Sequence, residues 1–595
     1  NGANNYILGS KGKDTIDGFA TGDKASISSE KLNAITSANF KKQQTNLIFT
    51  IDSKNNLTFA DDTAAPDKIA LNGGGFLTKD GYVDKDSAAK FKLFSGTKGI
   101  VDLKGDSVYS GANITTIDAT ASKNSVTLVG ASVDSALNLA SNKKKDLFEY
   151  GGKKVTISGY EGGKDKLDIS GIGAISAFAI NDNDVAISVG SDTANNVISL
   201  TSAKDQEVLI HDGEKKGNSY SKYVFAQTGV LYNKAKKPTE ATIFSNVSPG
   251  ANQPFKAEDS IKKIFLQEDV ANVSIQSGNN KATLDASAAG TATGEAISLV
   301  GGAKSNRFIG SDYADMFVYT GGKDNIQDFD ATDKISFDTN KLNDAKISVS
   351  KKSIKFKFDS KNALTLKGKN TISGELSVGD TPYTFSKNAY STVSGTASLT
   401  SAFSGTYKID DFANVDGHLV KKNLTFKGTS DAESLVGGTK KTTFKGGGGK
   451  DIFKGGDGKD IFFYAKTDSG AKTVENFDFE NGKDKIKIAS GTITDISKSG
   501  NDIKFTTNGG SLTLEGKEGT NVLIKANNNF YWFADSDTAS KTSGVSVGDL
   551  ITADTKVSKS DAATTGYAIV DLGYSTNLVK SGVAVKAGEF TFELK

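Results

Sequence analysis

Between Gly428 and Phe463 the chain falls into an unbroken nine-residue frame whose units open on Gly428, Gly437, Gly446 and Gly455. The two clearest units read Gly446-Gly447-Gly448-Gly449-Lys450-Asp451-Ile452-Phe453-Lys454 and Gly455-Gly456-Asp457-Gly458-Lys459-Asp460-Ile461-Phe462-Phe463. Both fit the pattern G-G-x-G-x-D-x-U-x. The glycines permit a positive-φ turn and expose carbonyls, the aspartate supplies a hard anionic oxygen, and the large apolar residue enters a core. Hard oxygens at that spacing suit a cation such as Ca²⁺. Two units make one coil, so turns on one side recur every second unit. The sixth residues then stack in pairs, Glu433 over Asp451 and Thr442 over Asp460. The bland alternative is a glycine-rich loop, and a frame held through four units stands against it.

Other chemistry has little raw material. Cysteine is absent, which excludes disulfides, thiolate metal sites and cysteine nucleophiles. His211 and His418 are the two histidines, too few for a His-rich zinc site or a Ser-His-Asp triad, and both read as surface side chains. The motifs H-E-x-x-H and G-x-x-x-x-G-K-[ST] do not occur. A carboxylate-pair glycosidase stays open, because two acids can meet from anywhere in a chain. Lys and Arg number 72 against 70 Asp and Glu, a net charge of +2, and Arg307 is the single arginine. Without a field of one sign or guanidinium forks, nucleic acid is not an expected partner. No apolar run is long enough for a membrane span, so membrane insertion is not expected either.

The elements that must position these residues are strands. Short alternating runs such as Ser353-Ile354-Lys355-Phe356-Lys357-Phe358 and Asp502-Ile503-Lys504-Phe505 recur throughout, bounded by Gly, Asn, Asp and Ser. With 64 glycines and 5 prolines in 595 residues, the composition fits glycine-punctuated β structure, and the expected class is all-β. A longer repeat emerges from Leu128-Val129-Gly130, Leu299-Val300-Gly301 and Leu435-Val436-Gly437. Further on, each copy reaches an Asp-Lys-hydrophobic triplet: Asp165-Lys166-Leu167, Asp333-Lys334-Ile335 and Asp484-Lys485-Ile486, with Asp23-Lys24 near the start. Equivalent positions Ile16, Ile157, Ile326 and Val474 lie 141 to 169 residues apart, a domain-sized duplication. The expected parts are 1–110, a roll cap with a β insert; 111–264 and 265–409, degenerate rolls; 410–530, the cation-binding roll; and 531–595, a C-terminal β domain. Because the chain opens partway through a module, a longer precursor is expected.

The Gly428–Phe463 repeats and the Asp-Lys-Ile segment after them resemble the repeats-in-toxin (RTX) family of secreted calcium-binding β-roll proteins. That resemblance implies parallel β-roll modules with cap segments and antiparallel inserts, export from a Gram-negative cell by type I secretion, and Ca²⁺ held between same-side turns. Carried over, the ligands are Glu433, Asp451 and Asp460 with carbonyls of Gly446, Gly448, Gly455 and Asp457. Thr442 stands where the pattern has Asp and Lys440 where it has Gly, so the Thr442/Asp460 site should be the weaker. In the degraded third module Asn306 takes the acidic place, while Asp312 and Asp315 remain as candidate ligands. In the second, Ser141-Asn142-Lys143-Lys144-Lys145-Asp146 carries three ammonium groups, each repelling a divalent cation by at least roughly 4 kcal/mol at about 4 Å and an effective dielectric near 20. That turn is expected to lack calcium, with lysine in the ion's place. Asp328, Asp330 and Asp478 read as turn or capping residues, and Trp532 as core in preference to a sugar platform.

Composition also resembles surface-layer proteins: no Cys, one Met, and abundant Lys, Ser, Thr and Gly. The expectation is an extracellular, calcium-stabilised structural protein, not an enzyme, that self-assembles as a homo-oligomeric lattice or filament at the cell surface, with cell-surface polysaccharide as a further partner. The alternatives are an RTX-type adhesin for surface or host glycans and the C-terminal part of an exported hydrolase.

Overall fold

Inward-facing apolar residues alternating with polar ones produce short strands almost everywhere. The computed structural model describes all residues except 1–3, 9–11, 21, 41–45, 61–66, 73, 85–89, 106–108, 110–113, 131–136, 214–218, 246–254, 290–296, 369, 373, 393–394, 410–411, 479–482, 490–492, 517–520, 528, 534–549, 554–566, 575–578 and 586–595. Helix among the described residues is confined to short pieces such as Ser29–Ala34 and Thr339–Asp344. The class is all-β, with the large parallel sheets of a β-roll. The chain forms two compact units: Asn1–Gly302 with Ser311–Tyr313, and Ala303–Gly310 with Ala314–Lys595.

In the second unit the best-formed roll has two parallel walls. One runs Gly405–Lys408, Leu424–Lys427, Thr442–Lys445, Ile461–Tyr464 and Lys485–Ile488. The other runs Asn414–Asp416, Ser434–Val436, Asp451–Lys454 and Gly470–Glu475. Ser434 pairs with Ile452, and Thr443 with Ile461, so one coil is two nonapeptides. Phe426, Phe444 and Phe462 lie in register along the first wall and are fully enclosed. The rings of Phe444 and Phe462 stack with centroids 4.9 Å apart and planes 6° apart, and Phe444 meets Phe453 of the other wall at 5.4 Å. Each large eighth residue therefore fills the roll. In the first unit the same parallel scheme runs through Thr116–Asp118, Leu137–Ala140 and Lys154–Ser158 on one wall. Gly99–Asp102, Val126–Val129, Leu147–Glu149 and Lys166–Asp168 make the other.

After each Asp-Lys triplet the chain makes a three-stranded antiparallel meander. In the second unit one consists of Lys346–Ser350, Ser353–Lys357 and Ala363–Lys367, its last strand lying parallel to Lys323–Ile326. The next consists of Ile493–Ser499, Asp502–Thr507 and Gly510–Leu514, closing on Gly470–Glu475. The first unit repeats the arrangement twice, ending at Asn56–Ala60 beside Lys13–Asp17 and at Val197–Leu200 beside Lys154–Ser158. The aromatic stretches that follow are longer meanders. Glu375–Val378, Thr381–Ser386, Ala389–Thr392 and Thr396–Leu399 lead back into the roll at Asn414–Asp416. The last sheet holds Asn521–Ala526 and Asn529–Phe533 together with Leu550–Ala553, Tyr567–Asp571 and Val579–Val585. The expected break at 530/531 therefore falls inside a hairpin. Trp532 is buried in it, and most of 534–595 lies outside the described residues.

Candidate cation site in the roll

Every sixth residue of a nonapeptide stands two places before the inward apolar residue, so strand alternation turns it inward as well. Glu433, Asp451, Thr442 and Asp460 are accordingly all buried. The predicted stacking is present: Glu433 N–H donates to Asp451 Oδ1 (3.1 Å) and Thr442 N–H to Asp460 Oδ1 (2.7 Å). The tight turns need glycine. Gly449 has φ +76°, and a Cβ there would stand 2.2 Å from the Asp431 carbonyl oxygen of the coil alongside.

What completes the Glu433/Asp451 stack is a lysine. The register pairs Asp451 with Lys472 of the next coil, and Lys472 stands two residues before inward Val474. Its Nζ lies 2.7 Å from Asp451 Oδ2, the two side chains being 1% and 0% exposed. The same ammonium donates to the carbonyls of Gly448 (2.5 Å), Ser469 (2.9 Å) and Gly449 (3.3 Å). Gly446 makes room, because a Cβ there would sit 2.2 Å from Asp451 Oδ2 and 3.0 Å from Lys472 Cε. Glu433 Oε1 accepts from Thr429 N–H (2.8 Å) and from the Thr429 hydroxyl, while Oε2 has no hydrogen-bond partner among the described residues. Burial pushes the Glu433 carboxyl up to about 7, with Thr429 working against the shift and Asp451 with it.

So arranged, Glu433 and Asp451 do not fit a divalent cation. The carboxylate oxygen and the Gly448 carbonyl that would ligate it already surround an ammonium. A doubly charged ion about 4 Å from that ammonium would be repelled by roughly 8 kcal/mol at an effective dielectric near 20. At the second pair, Asp460 Oδ2 accepts from Gly456 N–H (2.7 Å), and the Gly455 carbonyl accepts from Asn476 Nδ2 (2.9 Å). Asp457 is exposed. Among the described residues no three His, Cys, Asp or Glu side chains gather as a metal-holding group. Of the third module's candidates, Asp312 is exposed, whereas Asp315 is buried with its N–H donating to Asp333 Oδ1 (3.0 Å).

The second-module turn corrects another expectation. Lys143, Lys144 and Lys145 are exposed, since none of them falls at an inward register position. The buried place between the stacked acids holds the Ser141 hydroxyl, which donates to Asp146 Oδ2 (3.0 Å) and Asp165 Oδ2 (3.2 Å).

The Asp-Lys-hydrophobic triplets share one geometry in four copies. Oδ1 of Asp23, Asp165, Asp333 and Asp484 accepts from the N–H of Asn4 (2.8 Å), Asp146 (2.9 Å), Asp315 (3.0 Å) and Asp460 (2.8 Å) in turn. Oδ2 accepts from the N–H of Ala20 (2.9 Å), Glu161 (2.9 Å), Asp330 (2.9 Å) and Asp478 (2.8 Å). Each carboxylate thus ties its own turn to the preceding coil. Burial pushes Asp165 and Asp484 up to about 6 and Asp333 to about 7 against those hydrogen bonds. Asp330 and Asp478 are turn residues as expected: Asp330 Oδ1 accepts from Thr332 N–H (2.8 Å), and Asp478 Oδ2 pairs with Lys483 Nζ (3.2 Å).

No family model matches the chain, and neither does any curated protein. Among solved structures, the extracellular lipase LipA from Serratia marcescens is similar over 48% of this chain and 43% of its own, at 15% identity and a TM-score of 0.18. The chain thus spans less than half the length of that lipase, and so loose a likeness carries no argument about activity. No helix among the described residues is long and apolar enough to cross a membrane.

Proposed function

We propose that this chain is scaffold from an extracellular protein that assembles with copies of itself into a layer or filament at a cell surface. The observation that carries this reading is the fourfold cap. In each copy the buried acid, the residue type a hydrolase would need for proton transfer, is engaged by two backbone N–H groups. Its work is to hold coils together. Duplicated modules present similar surfaces many times, and near-zero net charge removes long-range repulsion between copies. On the outer face of one roll wall Lys408, Lys427 and Lys445 stand in register on adjacent strands and are exposed. That cationic row suits carboxylates of a neighbouring copy or of an acidic cell-surface polysaccharide. Calcium as the stabiliser of the Glu433/Asp451 turn is not part of the proposal, because Lys472 fills that place.

Light scattering and negative-stain imaging of the purified chain across protein and salt concentration test the reading, alongside ester, peptide and glycoside turnover. The expected outcome is regular assemblies, weakened by high salt as lysine–carboxylate pairs are screened, with no turnover. A monodisperse monomer that binds on a glycan array would replace this reading with the adhesin; measurable turnover would replace it with the hydrolase.

A further inference from the structure

We propose that the Lys472 ammonium is a built-in cation, standing in the roll where a calcium-binding coil holds its ion, and that this roll consequently folds without divalent metal. The site has the makings of a cation cradle: three backbone carbonyls and one carboxylate oxygen converge on a single point. Gly446 and Gly470 clear the space, since a Cβ on Gly446 would meet Asp451 Oδ2 at 2.2 Å and one on Gly470 the Gly449 carbonyl oxygen at 2.0 Å. The point is filled by the chain itself. A buried lysine with its charge matched by Asp451 and its hydrogens directed at carbonyls meets the conditions under which a buried ion pair is tolerated.

The lysine also comes from the coil that follows the last full nonapeptide, so it joins the turn of the Gly446–Lys454 unit to that next coil. A tethered cation cannot be lost to dilution or to a chelator, whereas a bound ion at extracellular sites dissociates with Kd on the order of 10⁻⁴ to 10⁻³ M.

The test uses the full chain. Hydrogen exchange of amides 446–475 in EDTA and in about 10 mM Ca²⁺, well above such a Kd, should agree within about twofold. A loss of protection of tenfold or more in EDTA would overturn the proposal. Amine acetylation followed by mass spectrometry should leave Lys472 unmodified in both conditions while Lys450 and Lys459 react. Labelling of Lys472 that appears on adding Ca²⁺ would mean the ion displaces the ammonium, and would overturn the proposal too. In Lys472→Ala the cradle is vacated, so protection of 446–475 should fall at least tenfold in EDTA and return with Ca²⁺. A variant that keeps full protection in EDTA would also overturn it. If that variant does not fold, the two wild-type measurements decide alone.

Discussion

Asp324 offers a sharp test of the idea that the inward acids are structural and costly. Its Oδ1 accepts from Asn306 N–H (2.7 Å) and Nδ2 (3.3 Å), and its Oδ2 has no hydrogen-bond partner among the described residues. Burial pushes its carboxyl from 3.8 to about 7, which corresponds to about 4 kcal/mol. The folded form holds the proton more tightly than the unfolded form. Stability from this group is therefore fully present below about pH 4 and lost as pH rises through about 7, roughly 3 kcal/mol of it between pH 5 and pH 8. Asp324→Asn keeps the acceptor for Asn306 and removes the ionisation, though its amide N–H₂ lacks an acceptor, at about 1–3 kcal/mol. The opening free energy of amides 306–309 and 323–326, read from hydrogen exchange corrected for intrinsic rates, should fall with pH in the wild type. The variant should show about 3 kcal/mol less of that fall. Asp333 titrates in the same window, so the difference between the two proteins is the quantity that counts. Equal pH slopes would refute the reasoning.

Three further outcomes follow from the same geometry. Phe444→Ala removes a fully enclosed ring stacked on Phe462 and should cost about 3–5 kcal/mol, seen as lost hydrogen-exchange protection across 424–464. Gly449→Ala puts a Cβ 2.2 Å from the Asp431 carbonyl at φ +76°, and should abolish protection of the Gly446–Lys454 turn while leaving the first unit's rolls unchanged. Asp484→Ala strips acceptors from the N–H groups of Asp460 and Asp478, at about 1–3 kcal/mol each, so amides 460 and 478 should exchange at least about tenfold faster; Asp484→Asn, which keeps one acceptor oxygen, should lose less.

Much of this was legible in the residues. The nine-residue frame yields both the coil length and the stacking of Glu433 on Asp451, because a parallel roll admits one register for its apolar eighth residues. The repeated triplet marked the caps, although their role as double acceptors for backbone N–H groups shows only in three dimensions. Lys472 was missed because it lies past the last nonapeptide, in a coil three residues longer. The signal was nevertheless present: Lys472 precedes inward Val474 by two, as Asp451 precedes Phe453, and strand alternation forces it inside. The same rule explains why Lys143, Lys144 and Lys145 are not in the roll, since they sit in the turn before Asp146, the residue that holds the inward place ahead of Phe148. Counting charge near a turn predicted repulsion of a metal; only register decides which side chain occupies its position. The antiparallel meanders were visible as alternating runs, but their re-entry into the roll depends on pairings between strands far apart in sequence.

The most direct test of the central claim is an experimental structure of the protein prepared in millimolar Ca²⁺, with attention to the density between Asp451 and the Gly448 carbonyl. The expected result is the Lys472 side chain extended into that point, its Nζ at hydrogen-bond distance from the carbonyls and from Asp451 Oδ2, with Glu433 stacked above. An ion there ligated by oxygens at roughly 2.3–2.6 Å, with Lys472 turned out to solvent, would contradict it.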